Sequence, residues 1–319
     1  MATQIILNQL LIFGILIAIG GFAYWRKIIT PTIKNNLARI VIDLTLPFLI
    51  LSTFINIDYE SHLIRNGMLV FLLAFINLFA FYWLGQLSSK LLGLKPSQAT
   101  VHSLHTMLGN IVFLGFPLLD ALFPNGIGVF YGAVYQLASN LVTFTFGVYK
   151  LSAGTEKSGW KSLINTNTIA LTLGILIFGL GITVPSALNV SFQSLGKCTG
   201  PLSMVYIGAM LASMNIQRTL LQKSIYVLSI NKLLLIPFIL AAIFLLVFSA
   251  LGITISREAF FVLMLQAAMP CQTIVVVLSH RYGGDHQLAG ANLFVSTLLS
   301  IVTLPLFYFI LEWIWTNLA

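Results

Sequence analysis

The sequence predicts an all-α integral membrane protein with ten transmembrane helices, arranged as two inverted repeats of five helices. Three observations lead to this prediction. First, 58% of the 319 residues are hydrophobic, the mean hydropathy is +0.98 and only 8% are charged, whereas roughly 25% are charged in a typical soluble domain. Second, apolar runs of about 20 residues, the length that crosses a bilayer, recur along the whole chain. Third, helix-breaking residues interrupt two of these runs at matching places in the two halves.

The ten apolar runs are separated by short connections, which leave no room for a soluble domain. The predicted spans are 4–25, 36–56, 66–88, 98–123, 127–149, 166–185, 194–213, 223–249, 259–281 and 287–311. The longest polar connection, a cytoplasmic linker at 151–165, separates a first half, 1–150, from a second half, 166–319. Because each half holds an odd number of spans, the second half is inverted relative to the first, as in many secondary transporters.

The basic residues predict how the chain is oriented in its membrane. The 16 Lys and Arg residues exceed the 8 Asp and Glu residues and give a net charge of +8. Twelve of these basic residues lie in the loops after spans one, three, five, seven and nine, and at most three lie on the other side. Basic loops face the cytoplasm, so the charge needs no nucleic-acid partner. We expect a plasma or cytoplasmic membrane protein with both termini outside the cytoplasm.

Spans four and nine both contain helix-breaking residues near their centres. Span four reads "LGNIVFLGFPLL" around Gly109 and Asn110, and span nine reads "QAAMPCQ" around Pro270. A break exposes N–H groups that suit a carboxylate and carbonyl groups that suit a cation. Kinks satisfied by neighbouring helices are the alternative, but the matched pair favours a binding site. The residues predicted to bind substrate are Gly109, Asn110, Asn140, Gln266, Met269, Pro270 and Gln272.

Three ionisable side chains in the spans are candidates for ion coupling or charge balance: Asp43, His105 and Lys232. Lys232 lies about nine residues, or ~14 Å, into span eight, where it can balance an anionic substrate or replace a coupling cation. Ion pairs, snorkelling and ordinary hydrogen bonding are the structural alternatives for these groups. His102 and His105 lack further ligands at metal-binding spacing, so no metal or other cofactor is expected. Uniport, H⁺ coupling and Na⁺ coupling all fit the sequence.

Enzyme motifs are absent from the sequence. It contains no Gly-x-Ser-x-Gly, no His-Glu-x-x-His and no phosphate-binding loop. The prediction is therefore a non-enzymatic secondary or facilitative transporter of a small organic anion. An anion channel and a ligand-sensing receptor on a carrier fold are the alternatives, because interrupted helices also line pores and binding sites.

Several segments resemble one transporter family over most of the chain. "LQAAMPCQTIVVVLSHRYGGD" and "STLLSIVTLPLF" resemble the ninth and tenth helices of the auxin efflux carrier family, and "LGNIVFLGFPLL" its fourth. "RIVIDLTLPFLILSTF" and "NKLLLIPFIL" are similar to its second and eighth helices. That family includes plant PIN-type auxin carriers and bacterial malonate or malate transporters. A more distant similarity links the layout to the bile acid:sodium symporter superfamily.

The resemblance implies a scaffold of helices 1, 2, 6 and 7 and a transport domain of helices 3–5 and 8–10. Broken helices 4 and 9 would cross at the midplane of the transport domain, which would move as an elevator in a homodimer formed through the scaffold. Asn110 matches the family's Asn beside the crossover, where a carboxylate binds, and Pro270 matches the crossover proline. Gly109 stands where the plant carriers have Pro, and Cys271 and Gln272 where they have Gln and Gly. These departures, with the missing long cytoplasmic loop, weaken the expectation of auxin but not of a carboxylate, either auxin-like or a dicarboxylate.

Overall fold

The computed structural model describes residues 2–57, 61–123, 125–154, 164–214 and 219–318. Residues 155–163 of the predicted linker lie outside the described residues. Within the described ranges the secondary structure is helical, and no β-strand is formed beyond one isolated bridge. Five helical segments there are long and apolar enough to cross a membrane: Pro31–Asn56, His62–Leu91, Ile127–Leu151, Lys223–Leu251 and His286–Thr316. An all-α membrane protein is therefore confirmed, whereas the ten-span inverted repeat stays a prediction.

Capping side chains define the start of several helices. Thr30 before α2, Asn165 before α9 and Ser256 before α14 each accept a hydrogen bond from a backbone N–H in the first helical turn. The α-helices are α1 (Ala2–Trp25), α2 (Pro31–Arg39), α3 (Leu46–Asn56), α4 (Ser61–Leu91), α5 (Pro96–Met107), α6 (Phe116–Leu122), α7 (Ile127–Val142), α8 (Val148–Leu151), α9 (Thr166–Leu180), α10 (Ser186–Lys197), α11 (Thr199–Ala212), α12 (Lys223–Ile230), α13 (Ile236–Leu251), α14 (Arg257–Ala267), α15 (Thr273–Arg281) and α16 (His286–Leu318).

Wide π-helical turns join several of these helices into longer segments. Proline lacks an N–H and its ring clashes with the carbonyl four residues earlier. A π-helical turn accommodates this defect by opening the hydrogen-bond ladder locally. Asp43 and Lys232 both lie on such turns. Three turns directly precede a helix with proline at its second position: Ile40–Thr45 before Pro47, Ile111–Gly115 before Pro117 and Asn231–Leu235 before Pro237.

Helices α9 to α11 divide the chain differently from the predicted spans six and seven. The predicted span 166–185 ends earlier, because Gly181 adopts a left-handed conformation (φ +62°) that terminates α9. Helix α10 then begins after Pro185, and α11 begins only at Thr199 within the predicted span 194–213. Apolar composition alone does not distinguish one long helix from two shorter ones.

The chain divides into two compact units. Within unit 1, α1 packs on α11, and α3 packs on α9 and α10. Within unit 2, α16 packs against α5, α12, α14 and α15. Helices α5 and α14 of unit 2 are almost wholly buried toward their C-terminal ends. Unit 1 consists of 1–67, 111–134 and 162–214, and unit 2 of 68–110, 135–161 and 215–319.

Glycines bring the backbones of α1 and α11 into direct contact within unit 1. A Cβ atom on Gly208 would lie 1.9 Å from the carbonyl oxygen of Ile17, and one on Gly20 would lie 2.1 Å from that of Val205. Small residues at such positions are a common means of packing membrane helices closely. Any larger residue would push the two helices apart.

We expect Gly208→Ala to destabilise the protein, because the new methyl group overlaps a backbone carbonyl. Overpacking of this kind costs about 1–3 kcal/mol, which would lower the melting temperature in detergent. Gly14→Ala in α1, the helix that packs against Gly208, is the control, because a Cβ there meets nothing within 4 Å. Equal melting temperatures for the two variants would contradict the contact.

Candidate functional site

Both interrupted helices open within unit 2. Helix α5 ends at Met107, and helical structure resumes only at Ile111. Helix α14 ends at Ala267, and α15 begins at Thr273. The non-helical residues between these ends lie where the sequence places the helix breakers.

The two breaks pair with each other through their backbones. Gly109 and Cys271 form an isolated antiparallel β-bridge. Its hydrogen bonds run from the Asn110 N–H to the Pro270 carbonyl (2.7 Å) and from the Gln272 N–H to the Leu108 carbonyl (3.2 Å). In hydrocarbon each unpaired backbone group would cost several kcal/mol. Each break therefore supplies the partners that the other one needs.

Glycine at position 109 allows this close approach. A Cβ atom there would lie 3.0 Å from the Cβ of Met269 and 3.1 Å from the carbonyl oxygen of Gln266. Met269, Pro270 and Gln266 are themselves buried. A side chain at position 109 would therefore require Met269 or the backbone of Gln266 to shift by a few tenths of an ångström.

Three carbonyl groups at the C-terminal end of α5 accept hydrogen bonds from outside the helix. The carbonyl of Thr106 accepts one from the ammonium Nζ of Lys232 at 2.9 Å, and that of His105 accepts one from the Cys271 thiol at 3.8 Å. The third is the carbonyl of Leu108 in the β-bridge. The His105 ring also lies 3.3 Å, through Nε2, from the Gln272 carbonyl oxygen. These bonds satisfy carbonyl groups that every helix end leaves without partners.

Lys232 is a fully buried cation beside this helix end. Its exposed fraction is 0%, and its ammonium lies 5.4 Å from the centre of the Phe81 ring. The acidic side chains of unit 2 in the described part of the chain, Glu258, Asp285 and Glu312, are half-buried and make no contact with it. Burying an uncompensated charge is costly. The site thus has a positive charge that no described acidic residue balances.

Buried amides provide further polar groups in unit 2. Gln266 and Asn292 are 1% and 0% exposed, and neither side chain has a hydrogen-bond partner within the described residues. Asn292 precedes Ser296 by one turn of α16, so the two share a face. Ser296 Oγ accepts the Cys271 N–H at 3.0 Å. Because buried amides are normally hydrogen-bonded, these groups are candidate ligand contacts.

The N-terminal end of α15 is a second positive feature. Its first residue follows Gln272, whose side chain makes no capping bond. The Gln272 side-chain oxygen and the Thr273 hydroxyl are buried and lack partners in the described part of the chain. Free N–H groups at such a helix start attract anions. Together with Lys232, they make this region suited to a carboxylate.

The structure brings most of the predicted site residues together in unit 2. Two predicted residues lie apart from the group. Asn140 is half-buried on α7, and none of the described hydrogen bonds links it to the β-bridge. Asp43 is exposed and belongs to unit 1, where it accepts a hydrogen bond from Thr166 at 3.4 Å. The residues at or next to the β-bridge are His105, Gly109, Asn110, Lys232, Gln266, Met269, Pro270 and Gln272.

The serine residues of α16 were not among the predicted site residues. Asn292, Ser296 and Ser300 recur every four residues along an otherwise apolar helix, a pattern that places them on one face. That periodicity was the available signal. His102, by contrast, makes a structural hydrogen bond of 2.6 Å to Ser88. Within the described residues, no three His, Cys, Asp or Glu side chains come together as metal ligands.

Unit 1 contains a separate polar cavity of about 730 Å³. It is lined by residues from helices that are distant in sequence, so no local sequence motif predicts the cavity. Two opposite charges, Asp120 and Lys197, face it. The amides of Asn56 and Gln193, which both hydrogen-bond to Asn189, line the same cavity.

Comparison with known proteins identifies the family. The chain matches the family described as membrane transport protein over residues 5–157 and 149–308. It belongs to this family. Membership confirms the resemblance to the auxin efflux carriers stated from the sequence motifs. As a membrane transport protein, the chain lies in a lipid bilayer.

Similar transporters occur in bacteria and archaea. The uncharacterized transporter YfdV of Escherichia coli K12 is 22% identical over 318 residues, which are 95% of this chain and 97% of the relative. An uncharacterized transporter of Methanocaldococcus jannaschii is 25% identical over 323 residues, 96% and 98% of the two chains. One of Methanothermobacter thermautotrophicus is 23% identical over 317 residues, 97% and 98%. The relatives are named as transporters, consistent with a protein that is not an enzyme.

We expect Ser296→Ala to destabilise the protein by about 1–3 kcal/mol, because it leaves the buried Cys271 N–H without an acceptor. Ser300→Ala is the matched control on the same helix face, because within the described residues the hydroxyl of Ser300 bonds only to the carbonyl of Thr297. Thermal denaturation in detergent measures the difference. A Ser296 variant no less stable than the Ser300 variant would show that this hydrogen bond does not hold the bridge.

Proposed function

We propose that this membrane transport protein is a secondary carrier of a small organic anion, which binds through a carboxylate at the paired breaks of unit 2. One observation carries the proposal. The ammonium of Lys232 is fully buried beside the break, and no acidic side chain in the described part of unit 2 pairs with it. An anionic substrate would provide the missing counter-charge.

Hydrogen-bond donors near the bridge support the assignment to a carboxylate. The start of α15 presents backbone N–H groups, and the side-chain amide nitrogens of Gln266 and Asn292 have no hydrogen-bond partner within the described residues. A carboxylate accepts several such hydrogen bonds, which are stronger when one partner is charged. Asn110 lies directly at the bridge, and the resemblance to PIN-type carriers supports its side chain as a substrate contact.

Alternating access completes the proposal. In an elevator-type cycle, the helices of the transport domain would carry the bound anion between the two sides of the membrane while the scaffold forms a homodimer. The excess of basic residues in alternate loops supports placing both termini outside the cytoplasm. Auxin-like and dicarboxylate substrates both suit a site with one fixed cation and several donors.

Carboxylate binding is tested by thermal shift of the purified protein against a panel of mono- and dicarboxylates that includes acetate and malonate. We expect at least one carboxylate to raise the melting temperature. Asn110→Ala should weaken its binding about tenfold or more, as expected for losing a hydrogen bond to a charged group.

Asn36→Ala is the control for this experiment, because Asn36 is exposed on α2 in unit 1. That variant should keep the full shift. If no carboxylate stabilises the protein, or if Asn110→Ala keeps the same affinity as Asn36→Ala, the proposed site is wrong.

Counterflow in proteoliposomes distinguishes a carrier from an anion channel or a receptor. Saturating unlabelled malonate inside the vesicles should accelerate the uptake of labelled malonate, because a carrier returns faster when loaded. A channel would carry flux without this trans-stimulation, and a receptor would bind malonate without flux. Either result, obtained with a carboxylate that binds, would overturn the carrier assignment.

A further inference from the structure

We infer that Lys232 occupies the place of a coupling cation at the paired breaks, so that the protein binds and exchanges its substrate without Na⁺. This inference rests on the proposed carrier function and selects among the coupling modes that the sequence leaves open. It depends on where the ammonium lies, which carbonyl groups are already engaged, and how the lysine is held.

The ammonium of Lys232 lies at the negative end of an interrupted helix. The helix dipole and the unpaired carbonyl groups make the C-terminal end of α5 electronegative. In secondary transporters with discontinuous helices, such carbonyl ends coordinate the coupling ion. Here the carbonyl oxygen of Thr106 accepts a hydrogen bond of 2.9 Å from Lys232. A covalently attached cation thus makes the contact that a bound metal ion would make.

In the described part of unit 2, no carboxylate contacts this helix end. Hard cations are bound by several oxygen atoms, usually including a carboxylate. The carbonyl of Leu108 is engaged by the Gln272 N–H, and that of His105 by the Cys271 thiol. In the described part of unit 2, Glu312 pairs with Arg257, and Asp285 accepts a hydrogen bond from a backbone N–H at the start of α16. The chemistry of this end therefore fits an ammonium better than Na⁺.

The fold holds the lysine in this position. Lys232 projects from the π-helical turn before Pro237, and the Phe81 ring lies 5.4 Å from its ammonium, within reach of a cation–π interaction. Gly85 lets α4 approach the helix end, because a Cβ there would lie 2.9 Å from the side chain of Thr106. Lys232 has an exposed fraction of 0%, so water cannot replace these partners of the ammonium unless the helices rearrange.

A fixed cation has a consequence for the charge of the carrier. A bound monocarboxylate would neutralise Lys232, whereas the empty site would keep one positive charge. Exchange of substrate uses only the loaded form. Neither the stability of the empty protein nor exchange should then require Na⁺.

The test compares melting temperatures in NaCl and in N-methyl-D-glucamine chloride at equal ionic strength, without any carboxylate. The wild-type protein should melt at the same temperature in both salts. Lys232→Met keeps the apolar stem and removes the charge, so it should melt lower in N-methyl-D-glucamine chloride and recover on addition of NaCl or methylammonium chloride. Lys95→Met is the matched control, because Lys95 is exposed at the opposite end of α5; it should show no salt difference.

Lys232→Arg provides a second variant in case the methionine variant does not fold, because it retains a positive charge and should remain insensitive to Na⁺.

Malonate thermal shift and malonate counterflow are then measured for the wild type in both salts and should not differ. Wild-type stability or exchange that requires Na⁺ would overturn the inference. So would a folded Lys232→Met protein that shows no loss of stability in N-methyl-D-glucamine chloride. If no carboxylate shifts the melting temperature in either salt, the proposed function is wrong. The two failures are distinguishable, because the comparison of the two salts without carboxylate does not depend on substrate binding.

Discussion

The backbone pairing of the two breaks is the constraint on which the structure of unit 2 depends. An interrupted helix frees N–H and C=O groups in a medium that has no water to bind them. Here two short hydrogen-bonded contacts across the Gly109–Cys271 bridge let each break satisfy the other. Glycine at position 109 lets the two segments approach without displacing Met269, and Ser296 supplies the acceptor for the Cys271 N–H. Loss of the Ser296 hydroxyl would leave that N–H unpaired in an apolar environment.

Charge is organised around the same pairing. The C-terminal end of α5 is electronegative, and Lys232 neutralises it through Thr106. The start of α15, a few residues away along the other segment, is electropositive and lacks a side-chain cap. The buried ammonium of Lys232 therefore balances the electronegative end of α5 and also adds positive charge near the start of α15. Under the proposed function, an organic anion would find here a polar site whose cation is covalently attached to the protein.

Much of this arrangement could be predicted from residue types alone. The breaks were predicted from Gly109, Asn110 and Pro270, because glycine and proline weaken helices in any context. Lys232 was predicted as a site residue because charges are rare in membrane spans. The contribution of Ser296 was missed, because a serine in an apolar helix commonly bonds back to its own backbone. Asn140 and Asp43 were included for their polarity, yet the described contacts place neither at the bridge. Proline at positions 47, 117 and 237 weakens a helix in any context, but the residue type alone does not distinguish a kink from the π-helical turns that form.

The sequence by itself determined that the protein is a helical membrane protein, where the two paired breaks lie and which family it belongs to, because composition, hydropathy and helix-breaking residues act locally. Only the tertiary structure decided which groups meet. The partner of the Asn110 N–H is the Pro270 carbonyl, 160 positions away, and the partner of Lys232 is the Thr106 carbonyl, 126 positions away. Both partners are backbone atoms, and every residue has the same backbone carbonyl. No pattern of side chains can specify such a partner, so it follows only from how the helices pack.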